Sequence, residues 1–272
     1  MQKSRSIIDA NSSHLNLKEL WTYRELFYFF AWRDIKVRYK QTYLGVTWVL
    51  IQPIALLILL TVIFSRAFKG YQSSIPYPIF ILSGLLIWNL FYNAVSNGAD
   101  SMIQHTNIIR KIYFPRLVIP GSSLFVALFD FIISMVVFIA FCIVYKIHVS
   151  PSMIYIFPLA VLLVMAGAFG LSLFLSAFNI KYRDFRYALP FMLQFLFFAS
   201  QIVFPINRIN NKFIHSLLAI NPVNGAIELF RYPLAGICDL TVVLISTISS
   251  LVITVVGVYY FRKSESFFAD LA

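Results

Sequence analysis

Residues 117–142 read LVIPGSSLFVALFDFIISMVVFIAFC. Asp130 is the only formal charge in the stretch, and no proline follows Pro120. A bilayer core about 30 Å thick needs about 20 apolar helical residues to cross it. The stretch is long enough for that, and a soluble fold would have few places to bury it. Working outward, five more apolar blocks occupy residues 44–64, 79–98, 153–177, 188–205 and 241–261. Six membrane-spanning helices are therefore expected. The fifth is the shortest and stops at Pro205.

Composition agrees. Of 272 residues, 60% are hydrophobic and 12% charged, against roughly 25% charged in a soluble domain. The charges fall between the apolar blocks. The net charge of +11 would suggest nucleic acid in a soluble chain, but basic residues at helix ends orient membrane proteins and meet anionic head groups. No nucleic-acid partner is expected; membrane lipids are. With the N-terminus inside, cytoplasmic segments carry sixteen of the 22 lysines and arginines. That bias predicts a multi-pass chain with both termini cytoplasmic. The first 43 residues contain no apolar signal region, so no cleavable leader is expected.

Two segments depart from simple spans. Between residues 17 and 39, Leu20, Tyr23, Phe27, Phe30 and Ala31 recur at helical spacing among basic residues, the pattern of an amphipathic helix at the interface or against a partner. Segment 206–240 holds two half-length apolar stretches broken by Asn221-Pro222 and Pro233. Each is too short to span, so short re-entrant or interfacial helices are expected on the outer side. The fold class is thus all-α integral membrane: a cytoplasmic segment 1–43, then a six-helix transmembrane domain 44–272.

Chemistry-bearing motifs are sparse. There is no G-x-x-x-x-G-K-[ST] loop, no H-E-x-x-H and no G-x-S-x-G. No catalytic cluster, metal set or resident cofactor is expected. Cys142 and Cys238 lie in no ligand or redox pattern. Asp130 costs about 2.5–3.5 kcal/mol on insertion scales unless it is paired, and it shares a helix face with Ser123 and Ser134. It reads as a structural anchor or a transport residue. Asn89, Asn93 and Asn97 make a polar stripe on the second span, suited to interhelical hydrogen bonds or a wet path. Ala166, Gly170, Ser172 and Ser176 allow close helix packing in the fourth span.

Four stretches carry a resemblance: RDIKVRYKQTYLGVTWVLIQP (33–53), LIWNLFYNAVSNGADSMIQHTNIIRKIYFPRLVIP (86–120), FNIKYRDFRYALP (178–190) and NPVNGAIELFRYPL (221–234). In order and spacing they resemble type-two ABC-exporter permeases, in the branch that moves lipid-linked O-antigen, capsule and teichoic-acid chains. The resemblance implies a homodimer in the bacterial inner membrane, seated on two copies of a separate ATP-binding subunit. ATP and Mg would sit on that partner, and this chain would be no enzyme. The cargo implied is an undecaprenyl-linked glycan, O-antigen first. Residues 100–114 would then form the coupling segment, with Ile103, Ile108, Ile109 and Ile112 as apolar contacts and Arg110 and Lys111 as charges. Arg33, Lys36, Arg38 and Lys40 stand where a lipid pyrophosphate would lie, or serve only as topogenic charge. Trp48 and Gln52 in the first span, with Phe191, Gln194, Phe195, Phe198 and Gln201 in the fifth, mix aromatic rings with amides and suit a glycan path; packing or lipid contact is the plainer alternative. A small-molecule exporter of the same superfamily and a membrane enzyme of envelope glycan synthesis are the competing functions.

Overall fold

A computed structural model describes residues 21–40, 45, 47–67, 75–109, 111–112, 114–182 and 184–265. The described residues are helical apart from turns and short links. Helix α1 is Arg24–Lys40, α2 Thr47–Ala67, α3 Tyr77–Gln104, α4 the single turn Thr106–Ile109, α5 Val118–Val144 and α6 Met153–Lys181. Then come α7 Phe185–Phe198, a 3-10 turn Ile206–Arg208, α8 Lys212–Ala219, α9 Pro222–Ala235 and α10 Leu240–Ser264. Five of these, α2, α3, α5, α6 and α10, are long and apolar enough to cross a membrane.

Side-chain contacts sort the helix ends onto two faces. Phe30 of α1 packs on Phe114 before α5 and on His105 after α3. Phe178 near the end of α6 touches both Phe185 of α7 and Tyr260 of α10. Arg116 donates to the carbonyl of Glu265. So α1, the end of α3, the start of α5, the end of α6, the start of α7 and the end of α10 share one face. On the opposite face Tyr77 donates to the carbonyl of Val203 at 3.1 Å, and the Ser150 N–H to that of Pro233 at 3.0 Å.

The fifth crossing differs from the expected span at 188–205. Helix α7 has 14 residues, about 21 Å of helix, short of the roughly 30 Å hydrocarbon layer. The chain nevertheless goes from the α1 face to the Tyr77 face, because residues 199–205 complete the passage without helix. Ending a helix inside an apolar layer strands backbone polar groups. Here Asn224 supplies partners: its Nδ2 donates to the Ala199 carbonyl at 3.1 Å and its Oδ1 accepts from the Gln201 N–H at 2.7 Å.

Helices α8 and α9 are a bent pair of short helices in the segment where re-entrant or interfacial helices were expected. They meet at 92°, since Asn221 accepts from the Val223 N–H and Pro222 opens α9, a fresh helix start. His215 of α8 lies 3.1 Å from Asp239 at the start of α10. Pro233, near the other end, meets the loop before α6. Both arms therefore begin at the Tyr77 face. The tip goes inward: Ser246 of α10 donates to the carbonyls of Ala219 and Asn221, and Pro222 lies against Gly167 of α6. Gly236 closes α9 in the left-handed region at φ 71°.

The small residues of the fourth span pack within the chain. A Cβ added at Gly257 of α10 would lie 2.0 Å from the Gly170 carbonyl oxygen, so these two backbones touch where only glycine fits. Ser250 and Thr254 donate to the Leu163 and Ala166 carbonyls at 3.0 and 2.8 Å. On the other side of α6, a Cβ at Gly98 would meet Ser172 at 2.5 Å. Cys142 and Cys238 are unpaired.

Candidate functional site

A polar cluster lies inside the protein where α1 meets α3 and α5. Helix α1 buries Phe30 and Ala31 and half-buries Leu26 and Phe27, with Tyr23 half-buried just before it, while Trp21 ahead of the helix and Tyr28, Phe29 and Trp32 on it stay exposed. Its inner face is the one its apolar spacing indicates; Leu20 lies outside the described residues. Phe27 seats against Gly121, where an added Cβ would be 2.5 Å away. This close seating brings Arg38 and Tyr39 to Asp130.

Asp130 is 5% exposed. It pairs with Arg38 Nη1 at 2.6 Å and accepts a short hydrogen bond from the Tyr39 hydroxyl. Arg38 Nη2 also donates to Asn97 Oδ1 at 2.9 Å. Ser134 donates to the carbonyl of Asp130 itself. Burial first, then the hydrogen bond to and charge of Asp130, hold the Tyr39 phenol above its usual range, so it acts as a donor. The lone carboxylate in the third span thus has its counter-ion, supplied by α1.

Above this pair is a cavity of about 620 Å³, walled by Trp48 and Gln52 of α2, Asn89, Tyr92 and Asn93 of α3, and Asp130. Two predicted path residues, two members of the asparagine stripe and the buried aspartate therefore share one cleft. Sequence spacing alone had no means of bringing α2, α3 and α5 around one cavity; the Arg38–Asp130 pair fixes α1 to α5 at its edge.

The remaining predicted path residues separate. Phe191, Phe195 and Phe198 are 74%, 70% and 65% exposed on α7, with Gln194 exposed among them. Gln201 does not join that face. It is 2% exposed, and its Nε2 donates to the Asn224 carbonyl at 2.7 Å. It pins the broken end of α7 to the re-entrant tip, because the helix stops before reaching it.

The four cations before the first span also divide. Arg33 pairs with Asp34 at 2.8 Å and contacts His105 Nε2, and Arg38 is committed to Asp130. Lys36 and Lys40 are exposed, Lys36 lying over the Trp32 ring at 5.1 Å. In the proposed coupling segment, Ile109 is buried and Ile108 packs beside it against Phe30 and Phe114; Ile103 is half-buried. Lys111 and Ile112 remain exposed, and Arg110 lies outside the described residues. The apolar surface open to a partner there is smaller than four isoleucines imply, because the segment folds back onto α1.

Two positions escaped the sequence reading. Arg231 of α9 is 4% exposed and donates to Ser83 Oγ at 3.0 Å and to the Phe80 carbonyl at 2.7 Å, tying the re-entrant arm to α3. His105, also buried, donates through Nδ1 to the Ser101 carbonyl at 2.7 Å, which leaves Nε2 to accept from Arg33. Each is a polar residue at a helix end, a position that ordinarily reads as solvent-facing.

The ABC-2 type transporter family model matches residues 25–234. An O-antigen export system permease protein, RfbA, of Klebsiella pneumoniae is 29% identical over 244 residues, covering 88% of this chain and 92% of that protein. A protein of the same name from Myxococcus xanthus is 27% identical, covering 76% and 79%. A polysialic acid transport protein, KpsM, of Escherichia coli is 25% identical, covering 73% and 77%. The matched span runs from α1 through the re-entrant pair, taking in every residue of the Arg38–Asp130 cleft, and this chain belongs to the ABC-2 type transporter family.

Proposed function

We propose that this chain is the membrane subunit of an exporter for lipid-linked polysaccharide, O-antigen in the first instance. Two copies would form the path across the bacterial cytoplasmic membrane. A separate subunit, also in two copies, would bind ATP and Mg and supply the energy. The observation that carries the proposal is the alignment with permeases of O-antigen export across 88% of the chain. The weaker alignment with a polysialic acid transport protein makes a polysaccharide other than O-antigen the second reading of the cargo.

The site geometry supports the same function. Large aromatic rings and the Gln194 amide stand exposed on α7, and Trp48 and Gln52 on α2. An amide costs free energy against lipid tails, so these faces suit a wet, sugar-lined path or a second subunit. Lys111 and Ile112, both exposed, offer the ATP-binding subunit a small docking point. The charge bias assigns the α1 face to the cytoplasm. The decisive experiment deletes the gene and follows undecaprenyl-linked glycan. Intracellular accumulation with loss of surface glycan, reversed by the wild-type gene, is the expected result. Normal surface glycan in the deletion strain would refute the function.

A further inference from the structure

We infer that the cleft between α2, α3 and α5 is a binding site for an uncharged sugar unit of the exported chain, seated against the Arg38–Asp130 pair. The inference rests on the export function proposed above and adds a place and a chemistry to it.

Size comes first. A cavity of about 620 Å³ falls in the range of roughly 300–1,000 Å³ that holds small organic ligands. The lining then selects among them. Trp48 and Tyr92 present aromatic surface, and Gln52, Asn89 and Asn93 present amides. A sugar ring has apolar C–H faces for the first and hydroxyl edges for the second, and an amide both donates and accepts. A lipid acyl chain would give the Gln52, Asn89 and Asn93 amides nothing to bond, which is costly in an apolar layer.

Charge decides against phosphate. A lone Arg38 at this depth would attract a pyrophosphate. Its guanidinium instead lies 2.6 Å from the Asp130 carboxylate, so the two charges cancel within the site. An anion entering the cleft would meet a carboxylate already holding the cation it needs. A carboxylate offers about four lone-pair sites. Arg38 and Tyr39 occupy two, leaving capacity for sugar hydroxyls. The pyrophosphate of a lipid-linked glycan would be held outside the cleft, where Lys36 and Lys40 are exposed.

The test uses the full-length chain with its co-purified ATP-binding subunit in lipid nanodiscs. The probes are the repeat-unit oligosaccharide, cut from the cells' own surface glycan and freed of lipid and phosphate, and inorganic pyrophosphate. Radiolabelled oligosaccharide should bind saturably. Gln52→Leu, at the exposed mouth of the cleft, and Asn93→Leu, inside it, should each weaken binding about tenfold, the loss of one or two hydrogen bonds. Excess pyrophosphate should not compete. A version keeping only Trp48, through Trp21→Phe, Trp32→Phe and Trp88→Phe, should change emission on adding oligosaccharide and not on adding pyrophosphate. Competition by pyrophosphate, unchanged affinity in Gln52→Leu, or no binding to the folded wild-type complex would each overturn the site. Those results leave the export function standing, since that falls only if the deletion strain still displays its glycan.

Discussion

Helices α3 and α2 are both apolar and both long enough to cross a bilayer, yet 78% of α3's most apolar stretch is buried and only 17% of α2's. Helix α3 touches α2, α5, α6, α7 and α9, and polar atoms from α1, α6 and α9 bond to its backbone or side chains. Arg231 reaches the Phe80 carbonyl, Asn179 Nδ2 donates to the Ala99 carbonyl at 3.0 Å, and Arg38 reaches Asn97. Helix α2 has little of this, and α7 shares its openness. Hydrophobicity alone therefore says that a helix enters the membrane and nothing about its neighbours. Small residues and satisfied polar atoms mark the helices that hold one subunit together. Exposed aromatic and amide faces mark those with few neighbours inside the chain.

The sharpest way to break this contrast is at the closed seam. Gly257→Leu drives a side chain into the Gly170 backbone, which cannot yield as a flexible side chain can. Overpacking costs typically about 1–3 kcal/mol and occasionally more, and two opposed backbones put this case at the upper end. The variant should be lost from the membrane or run as aggregate on size exclusion in detergent. A monodisperse protein at wild-type yield would mean that α6 and α10 are not in contact there. Next comes Arg231→Met. It keeps the length of the arm but removes the two hydrogen bonds that the guanidinium gives to Ser83 Oγ and the Phe80 carbonyl, at about 1.5–3 kcal/mol for a bond involving a charged group. Melting temperature in detergent should fall, and proteolysis between residues 199 and 212 should quicken as the re-entrant pair loosens. Unchanged melting and cleavage would detach Arg231 from any bracing role.

The open faces should respond differently. Phe198→Glu and Gln194→Trp alter exposed positions on α7; on a water-facing path they should leave yield and melting near wild type, whereas against lipid the new carboxylate would cost about 2.5–3.5 kcal/mol. Surface glycan should nevertheless fall while lipid-linked glycan builds up inside the cell. If both variants export normally, the α7 face meets lipid and the path runs elsewhere. Gln201→Trp belongs with the first group, because Gln201 is buried against Asn224; its failure would report folding, not transport.

The contrast also separates what was legible in the sequence from what was not. Long apolar blocks and charge between them identify the spans, since both follow from local composition. The asparagine before Pro222 is a readable helix start, and so was the break in the re-entrant pair. The early stop of α7 was not, because its last turns are as apolar as the rest. It ends where Asn224, more than twenty residues on, caps the freed backbone. The cleft was half legible. Asp130 announces that it needs a partner, but only tertiary placement reveals Arg38 among four nearby cations. The inward turn of Ile108 and Ile109 was hidden for the same reason: an amphipathic stretch does not say whether its apolar side meets its own chain or another.

The smallest expected effect lies at His105, where the closed bundle meets the segment proposed to dock the ATP-binding subunit. Its ring stands edge-on to Phe30, with centroids 5.4 Å apart. Burial is the main influence on it and lowers its pKa below the ordinary histidine value. The hydrogen bond to the Ser101 carbonyl opposes this, the Arg33 charge adds to it, and Asp34, 3.7 Å away, opposes it again. The folded state therefore holds His105 neutral where an unfolded chain would begin to take up a proton, near pH 6.5. The unfolded state binds more protons as pH falls below that value, so stability is full above it and declines towards the lower folded-state pKa. Protonation would also cost Nε2 its role as acceptor for Arg33. Melting temperature should thus drop between pH 7.5 and 5.5, and His105→Gln, whose side-chain amide still accepts from Arg33 and does not titrate, should flatten that drop. The comparison is between slopes, so a uniformly less stable variant remains informative. An equal slope in His105→Gln would assign the acid sensitivity to other groups and leave His105 as packing between α1 and α3.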